Sequence, residues 1–481
     1  MAELRGQPTA AVTSRDPVLG VPVEEILRLR YPEEITPERF EAEFVAQNRP
    51  LIIEGLVDDW PAYQDGPCCW RGRRWAQAFG SRLEECNFDP LDNRMYRFED
   101  SNPSVLLNPG RLRMPYSVFQ EVAEVRAQIQ QLLQTNSGAA GSRASGIDLR
   151  AHPELQARLN ASVEVQNIPM EMSQNLPMQF FVPFKLRIRD LVPLAFYLAN
   201  DSYALPAELQ ADVEAPHRKL LPAWGTPAMS RCWVTSGGPW QAPYPPWSSD
   251  TVPLPCEDQQ IYSCFHFDRM ENLHSLLAGE KEAFLVSPAD AETLKGTRFA
   301  MQKQWIVAPI PSSTGKDPYL GCELIPSTKT ECASDQSAVH PLRPAHENRL
   351  ASGGQWPDKV KAPVLRGKIR KGDTLYIPAH VWHFVRSTAP PALANFQDGP
   401  FACSINFWWW PIHGQDEKQR WLLENEVWSR TNARYGDPEM IKVMLASLKG
   451  AGEVQPCEPS AGPKPISPTA LTADEEFEVV D

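Results

Sequence analysis

Between residues 370 and 411 the chain is written in short β-prone runs, RKGDTLYIP, HFVRST and ACSINFWWWP, each ending at, or within two residues of, a proline. Segments this short and this closely punctuated do not make a helical bundle; they read as short strands that need partner strands to bury their apolar faces. Proline usage points the same way. It stands at 47 of 481 residues, roughly twice the usual share, and favours turns and loops over long helices. With 42% apolar residues there is material for a sizeable core, so most of the chain folds. Length alone leaves about two to four domains, or one large β domain with insertions.

Residues 1–24 are polar and read as loose, and 25–135 read as a part built of helices and a strand. Within it, ITPERFEAEFVAQNRP (35–50) is expected to be a helix with Thr36 as its N-cap, Pro37 in the first turn, and Phe40 and Phe44 one turn apart. The strand LIIEG (51–55) follows, and MPYSVFQEVAEVRAQIQQLLQ (114–134) is again helical. The small, polar stretch TNSGAAGSRASG (135–146) reads as a flexible loop, with the insertion itself at 136–146. The main β body spans 150–412, interrupted by a proline-rich insertion at 237–258 and an irregular one near 309–360 that either shapes substrate access or decorates the surface. Residues 413–450 read as helices. Their stripe Ile441, Met444, Leu445 and Leu448 packs on the parent domain or makes a homodimer contact, and the acidic, proline-rich 451–481 is expected to be disordered.

The net charge of -13 and the absence of a dense Lys/Arg block disfavour nucleic acid as a partner. No apolar signal core follows the N-terminus, and runs such as LVPLAFYLA (191–199) are too short to span a bilayer. The ten cysteines contain no C-x-x-C pair and read as reduced thiols in a cytoplasmic or nuclear protein.

The chemistry concentrates in FHFDRMENLHSLLAGEKEAFLVSP (265–288). On a strand, His266 and Asp268 point to one face and can offer donors to one metal ion. With nine histidines in the chain, about half an H-x-D pair is expected by chance, so the pair alone reads more readily as ordinary strand and turn. His383, at the head of a strand in GDTLYIPAHVWHFVRS, supplies a third donor, with His380 as a competing candidate. Two imidazoles and a carboxylate on a rigid β scaffold make the facial triad of non-haem Fe(II) oxygenases. Lys281 opens the apolar strand AFLVS after a turn at Ala278–Gly279–Glu280, and that strand can run antiparallel to the H-x-D strand. A buried ammonium there suits the far carboxylate of a metal-chelated dicarboxylate such as 2-oxoglutarate; without the triad it reads as an exposed turn lysine.

These segments together resemble a known family. The run H-F-D-R-M-E-N, the turn Gly279-x-Lys281, KGDTLYIP, Trp382–His383 followed by Val385, SINFWW (404–409) and NRPLIIEGLVDDWPA (48–62) look like the JmjC-type, cupin-like 2-oxoglutarate oxygenases, in the small hydroxylase branch with H-x-D in place of H-x-E. The resemblance covers roughly residues 35–412. It implies a mainly β fold with helical additions, the double-stranded β-helix or jelly-roll of the cupin type. It also implies Fe(II) on His266, Asp268 and His383, and 2-oxoglutarate on Lys281, with help from Ser263, Asn272, Asn406 and Tyr197. The implied reaction uses O2 and hydroxylates a substrate, with a protein side chain as the first expectation. Methyl-lysine demethylation, hydroxylation of an RNA nucleotide, and an inactive barrel used as a binding module are the alternatives. His274 reads as a packed or surface side chain, and His152, His217, His340, His346 and His413 receive no role.

Overall fold

The computed structural model describes residues 20–409 apart from 66–68, 71–73, 91–94, 96, 100–101, 138–146, 169–182, 202–204, 214–216, 222–223, 225–226, 239–250, 253–259, 287–293, 295–298, 311–318, 333–335, 343–362 and 389–400. The expected C-terminal helices, their dimer stripe, the acidic tail and most of the 136–146 loop lie outside the described residues.

Two sheets face one another. In the larger, 11-stranded sheet, Met229–Thr235, Ala402–Trp409, Glu271–Ala278, Thr374–Ile377 and Leu51–Glu54 lie side by side in that order. In the smaller sheet the order is Val23–Glu25, Val364–Ile369, Glu280–Val286, Trp382–Thr388, Phe265–Phe267 and Gln336–Ser337, with Gln260–Tyr262 also paired to Trp382–Thr388. The chain crosses between the sheets repeatedly. Phe265–Phe267 is in the small sheet, Glu271–Ala278 in the large one, Glu280–Val286 in the small one; after the insertion, Val364–Ile369, Thr374–Ile377, Trp382–Thr388 and Ala402–Trp409 continue the alternation. This is the expected double-stranded β-helix.

Period-two side-chain alternation sorts these strands into faces. Phe265, Trp382, Phe384, Phe284 and Val286 cluster on the outside of the small sheet. Their neighbours Ala283, Leu285 and Val385 point inward and meet Leu276, Leu375 and Ile377 from the large sheet. Each such aliphatic side chain removed from water contributes about 1.5–3 kcal/mol, so this inner layer holds the sheets together. On the far side of the large sheet, Leu273, Ile405 and Phe407 join the main core.

The crossing at Gly279 permits no side chain. Its φ is +81°, and a Cβ would lie 2.6 Å from the Ala402 Cβ.

Several local expectations are met and others are adjusted. Thr36 Oγ1 accepts the Arg39 N–H ahead of Pro37–Phe40, and the Phe40 and Phe44 rings stack with centroids 6.2 Å apart. That helix is shorter than 35–50: it continues as a π-helical turn over Glu41–Val45, and Asn48, at φ 49°, turns the chain away. The second helix spans Tyr116–Ser137, three residues beyond its expected end at 134, because 135–137 extend its last turn. Residues 23–25, at the edge of the segment read as loose, form a strand held parallel to Val364–Ile369.

The 309–360 stretch is not irregular throughout. Tyr319–Cys332 pairs antiparallel with Phe299–Ile310, and Gln336–Ser337 joins the small sheet. The Lys281 strand also runs in the opposite sense to that expected. Both it and the H-x-D strand pair antiparallel with Trp382–Thr388, which separates them, so they run parallel to each other. Glu271–Ala278 crosses to the other sheet between them and restores the direction. No helix among the described residues is long and apolar enough to cross a membrane.

Candidate active site

His266 lies directly opposite His383 in the antiparallel pairing, and their ring centroids are 4.2 Å apart. Asp268 follows just past the strand. Its Oδ2 is 3.7 Å from His383 Nε2, and donor atoms of all three residues lie within 4.8 Å of one another. His380, the competing candidate, is not part of this group. Its ring leans on Phe267, on the other face, while its backbone N–H donates to the Asp268 carbonyl at 2.7 Å and its φ of 62° makes the turn.

Both imidazoles are oriented from behind. His266 Nδ1 is 2.9 Å from the Cys264 carbonyl and His383 Nδ1 is 3.0 Å from the Val381 carbonyl. A backbone carbonyl only accepts, so each Nδ1 carries the proton and each Nε2 lone pair is left for a ligand. Asp268 is aimed likewise: its Oδ2 accepts from Trp408 Nε1 at 2.9 Å and from Asn272 Nδ2 at 3.3 Å. Burial would raise the Asp268 carboxyl, but the charges of His383 and His266 outweigh it and hold it below its ordinary value. Burial and the adjacent His266 push His383 down to about 4. Burial opposes the charging of His266 too, yet Cys264 and Asp268 raise it to about 9. A bound cation would displace the extra proton that His266 otherwise holds and so free its Nε2 lone pair.

Deeper in the barrel, Lys281 is 3% exposed and pairs through its backbone with Ile369 and Ser387. Among the described residues its ammonium has no hydrogen-bond or ion-pair partner, and burial pushes it down to about 7. Other polar groups face the same space. His274 Nε2, Asn406 Oδ1 and Ser404 Oγ are buried with no partner among the described residues. His274 is opposite Asn406, and Leu276 is opposite Ser404, so these groups line one inner face between the triad and the level of Lys281. Burial, then the charges of Lys281 and His383, hold His274 well below its ordinary value, so it stays neutral. Asn406 Nδ2 donates to Asn272 Oδ1 at 2.8 Å, linking this wall to Asp268.

The remaining expected residues fall into two kinds. Tyr197 stacks on Trp233 with centroids 5.2 Å apart and packs against the small cluster of Met95, Ala195 and Ile261. Within that cluster Ile261 is in register with Ser387, and Ser387 with Lys281. Ser263 has a structural contact: its Oγ accepts the Val385 N–H at 2.9 Å and so pins two strands together, with its hydroxyl proton still available to donate. His274, Ser404 and Trp408 join the site without having been legible as site residues. A signal for His274 exists, since residues 272 and 274 share a face of one strand; none pairs Trp408 with Asp268 from 140 positions away.

The donor set suits one hard or borderline divalent cation. The ammonium and the buried polar atoms, without partners among the described residues, suit a small dicarboxylate between that cation and Lys281, because buried polar groups are normally satisfied. A family model described as a cupin-like domain matches residues 37–415, more than half of the chain. No curated protein matches it.

Proposed function

This chain belongs to the cupin-like domain family, and from that premise we propose that it is an Fe(II)- and 2-oxoglutarate-dependent dioxygenase that hydroxylates a protein side chain. One observation carries the reading: the His266–Asp268–His383 cluster, in which His383 is buried and the other two are half-buried, shares its barrel with a buried ammonium, Lys281, that has no partner among the described residues. Burying an unpaired charge costs several kcal/mol, and a binding module has no use for that cost. A dicarboxylate ligand removes it.

His266, Asp268 and His383 would hold the iron from one side, leaving positions for co-substrate and oxygen. The bound metal and 2-oxoglutarate supply the oxidation, which releases succinate and carbon dioxide, while the protein orients and shields the reacting groups. Lys281 binds the distal carboxylate by a charge-assisted hydrogen bond. His274, neutral and buried, donates from Nε2 to the same ligand, and Asn272 and Asn406 hold its chelating end beside Asp268. Ala283, Leu285, Leu276 and Ile377 keep water from the enclosed space. A protein substrate agrees with the net charge of -13, which opposes a polyphosphate backbone.

The test is an anaerobic absorption spectrum of the Fe(II)-loaded protein before and after 2-oxoglutarate. A visible charge-transfer band in the wild type, lost in His383→Ala and needing more co-substrate in Lys281→Ala, is expected. A folded, metal-loaded protein with no band would count for the binding-module reading instead.

A further inference from the structure

The segment after Tyr319–Cys332 returns to the barrel as the short strand Gln336–Ser337, which extends the small sheet past the H-x-D strand. Gln336 is directly opposite His266, and Ser337 opposite Phe265. Since His266 is itself opposite His383, His383, His266 and Gln336 form one row across three neighbouring strands. Directly paired residues share a face, with Cβ atoms about 5 Å apart. Gln336 therefore stands on the metal-facing side, next to a proposed iron ligand.

Its position is fixed by its surroundings. Ser337 Oγ accepts the Val339 N–H at 3.2 Å, Val339 is buried in the outer cluster of the small sheet, and the His340 ring lies against Phe384 and Tyr262 at 5.1 and 5.5 Å. The side chain, by contrast, is unsatisfied. Gln336 Oε1 is shielded from solvent and has no hydrogen-bond partner among the described residues. A carboxamide oxygen left this way is disfavoured unless a group beyond the described residues completes it, and a bound substrate is such a group.

We infer that Gln336 positions the substrate beside the metal by pairing its carboxamide with an amide group of a polypeptide. A carboxamide offers an acceptor next to two donors, which is the complement of an amide N–H and C=O. This inference rests on the oxygenase reading and adds to it the residue that holds the substrate. It also assigns a purpose to the 319–342 segment, which then brings a substrate-binding arm to the site.

In the experiment, the Fe(II)-loaded full-length protein with 2-oxoglutarate receives a mixed-sequence library of acetylated, amidated dodecapeptides, and succinate released above the peptide-free level is measured. Gln336→Met keeps side-chain length but removes the hydrogen bonds; Gln336→Glu keeps an acceptor. The peptide concentration giving half-maximal stimulation rises about tenfold in Gln336→Met and less in Gln336→Glu, with a smaller change in maximal rate. Anisotropy of the labelled library on Mn(II)-loaded protein gives the same order without turnover. Replacing an orphaned acceptor by an apolar group does not cost stability, so a thermal midpoint at or above wild type confirms an intact fold. The inference is overturned if Gln336→Met matches wild type, or if the library fails to stimulate a protein whose peptide-free turnover is intact. A protein with neither turnover nor a metal-linked band would instead remove the oxygenase reading, and this one falls with it.

Discussion

Trp408 donates its indole N–H to Asp268 Oδ2 at 2.9 Å, and that same oxygen lies 3.7 Å from His383 Nε2. The strand Ala402–Trp409 thus aims the carboxylate that follows the strand Phe265–Phe267. Outer hydrogen bonds of this kind typically carry a 10–100-fold effect on metal affinity. Trp408→Phe keeps most of the ring and loses the donor, so affinity for Fe(II) or Mn(II) is expected to drop by about tenfold or more, measured by competition with a chelating dye. Unchanged affinity would mean that Asn272 alone orients the carboxylate.

Co-substrate binding should depend on pH through Lys281. Burial holds its ammonium at about 7, and an incoming carboxylate favours the charged form, so binding above neutrality takes up a proton. Apparent affinity for 2-oxoglutarate is then level below about pH 7 and falls with rising pH above it, by up to about tenfold per pH unit. His274, held neutral, and Cys403, pushed up to about 12 by burial, stay silent in this window. Calorimetry on Mn(II)-loaded protein in buffers of different ionisation enthalpy reads the proton directly. Lys281→Arg, always charged, should abolish the slope; a flat wild-type profile from pH 6.5 to about 8.5 would contradict the assignment.

His274→Phe separates binding from folding by opposite signs. The orphaned Nε2 is a buried polar atom without a partner among the described residues, and its removal should stabilise the ligand-free protein by about 1 kcal/mol. The same change removes a hydrogen bond to the co-substrate, weakening 2-oxoglutarate by about tenfold. Denaturant melts and a charge-transfer titration give the two numbers. Loss of stability together with unchanged affinity would assign His274 to packing alone.

Gly279→Ala tests the crossing between sheets. A methyl group 2.6 Å from the Ala402 Cβ, on a residue with φ +81°, combines overpacking with an unfavourable backbone region. The expected loss is about 3 kcal/mol, read as a lower urea midpoint at unchanged slope. A variant as stable as wild type would show that the crossing relaxes freely.

Strand periodicity and turn chemistry are local, and for that reason much of the site is legible in the amino-acid order alone. Two-residue spacing sets His266 and Asp268 side by side, Gly279 marks a turn, and the short punctuated runs allow little besides a sheet fold. The Thr36 cap and the Phe40–Phe44 stack are equally local, and both are found as expected. Which strand lies beside which is another matter.

The parallel run of the Lys281 strand, Trp408 on Asp268, Gln336 beside His266 and Ser263 on Val385 all depend on sheet order across long stretches of chain. No periodicity encodes that order, since it follows from burying both sheets' apolar faces at once. Burial is likewise a property of the assembled fold. The sequence by itself determined which side chains could ligate and on which face of their strands they stand. Only the tertiary structure decided that Lys281 and His274 are enclosed without partners among the described residues, because desolvation arises when distant strands close over a group that was free in water.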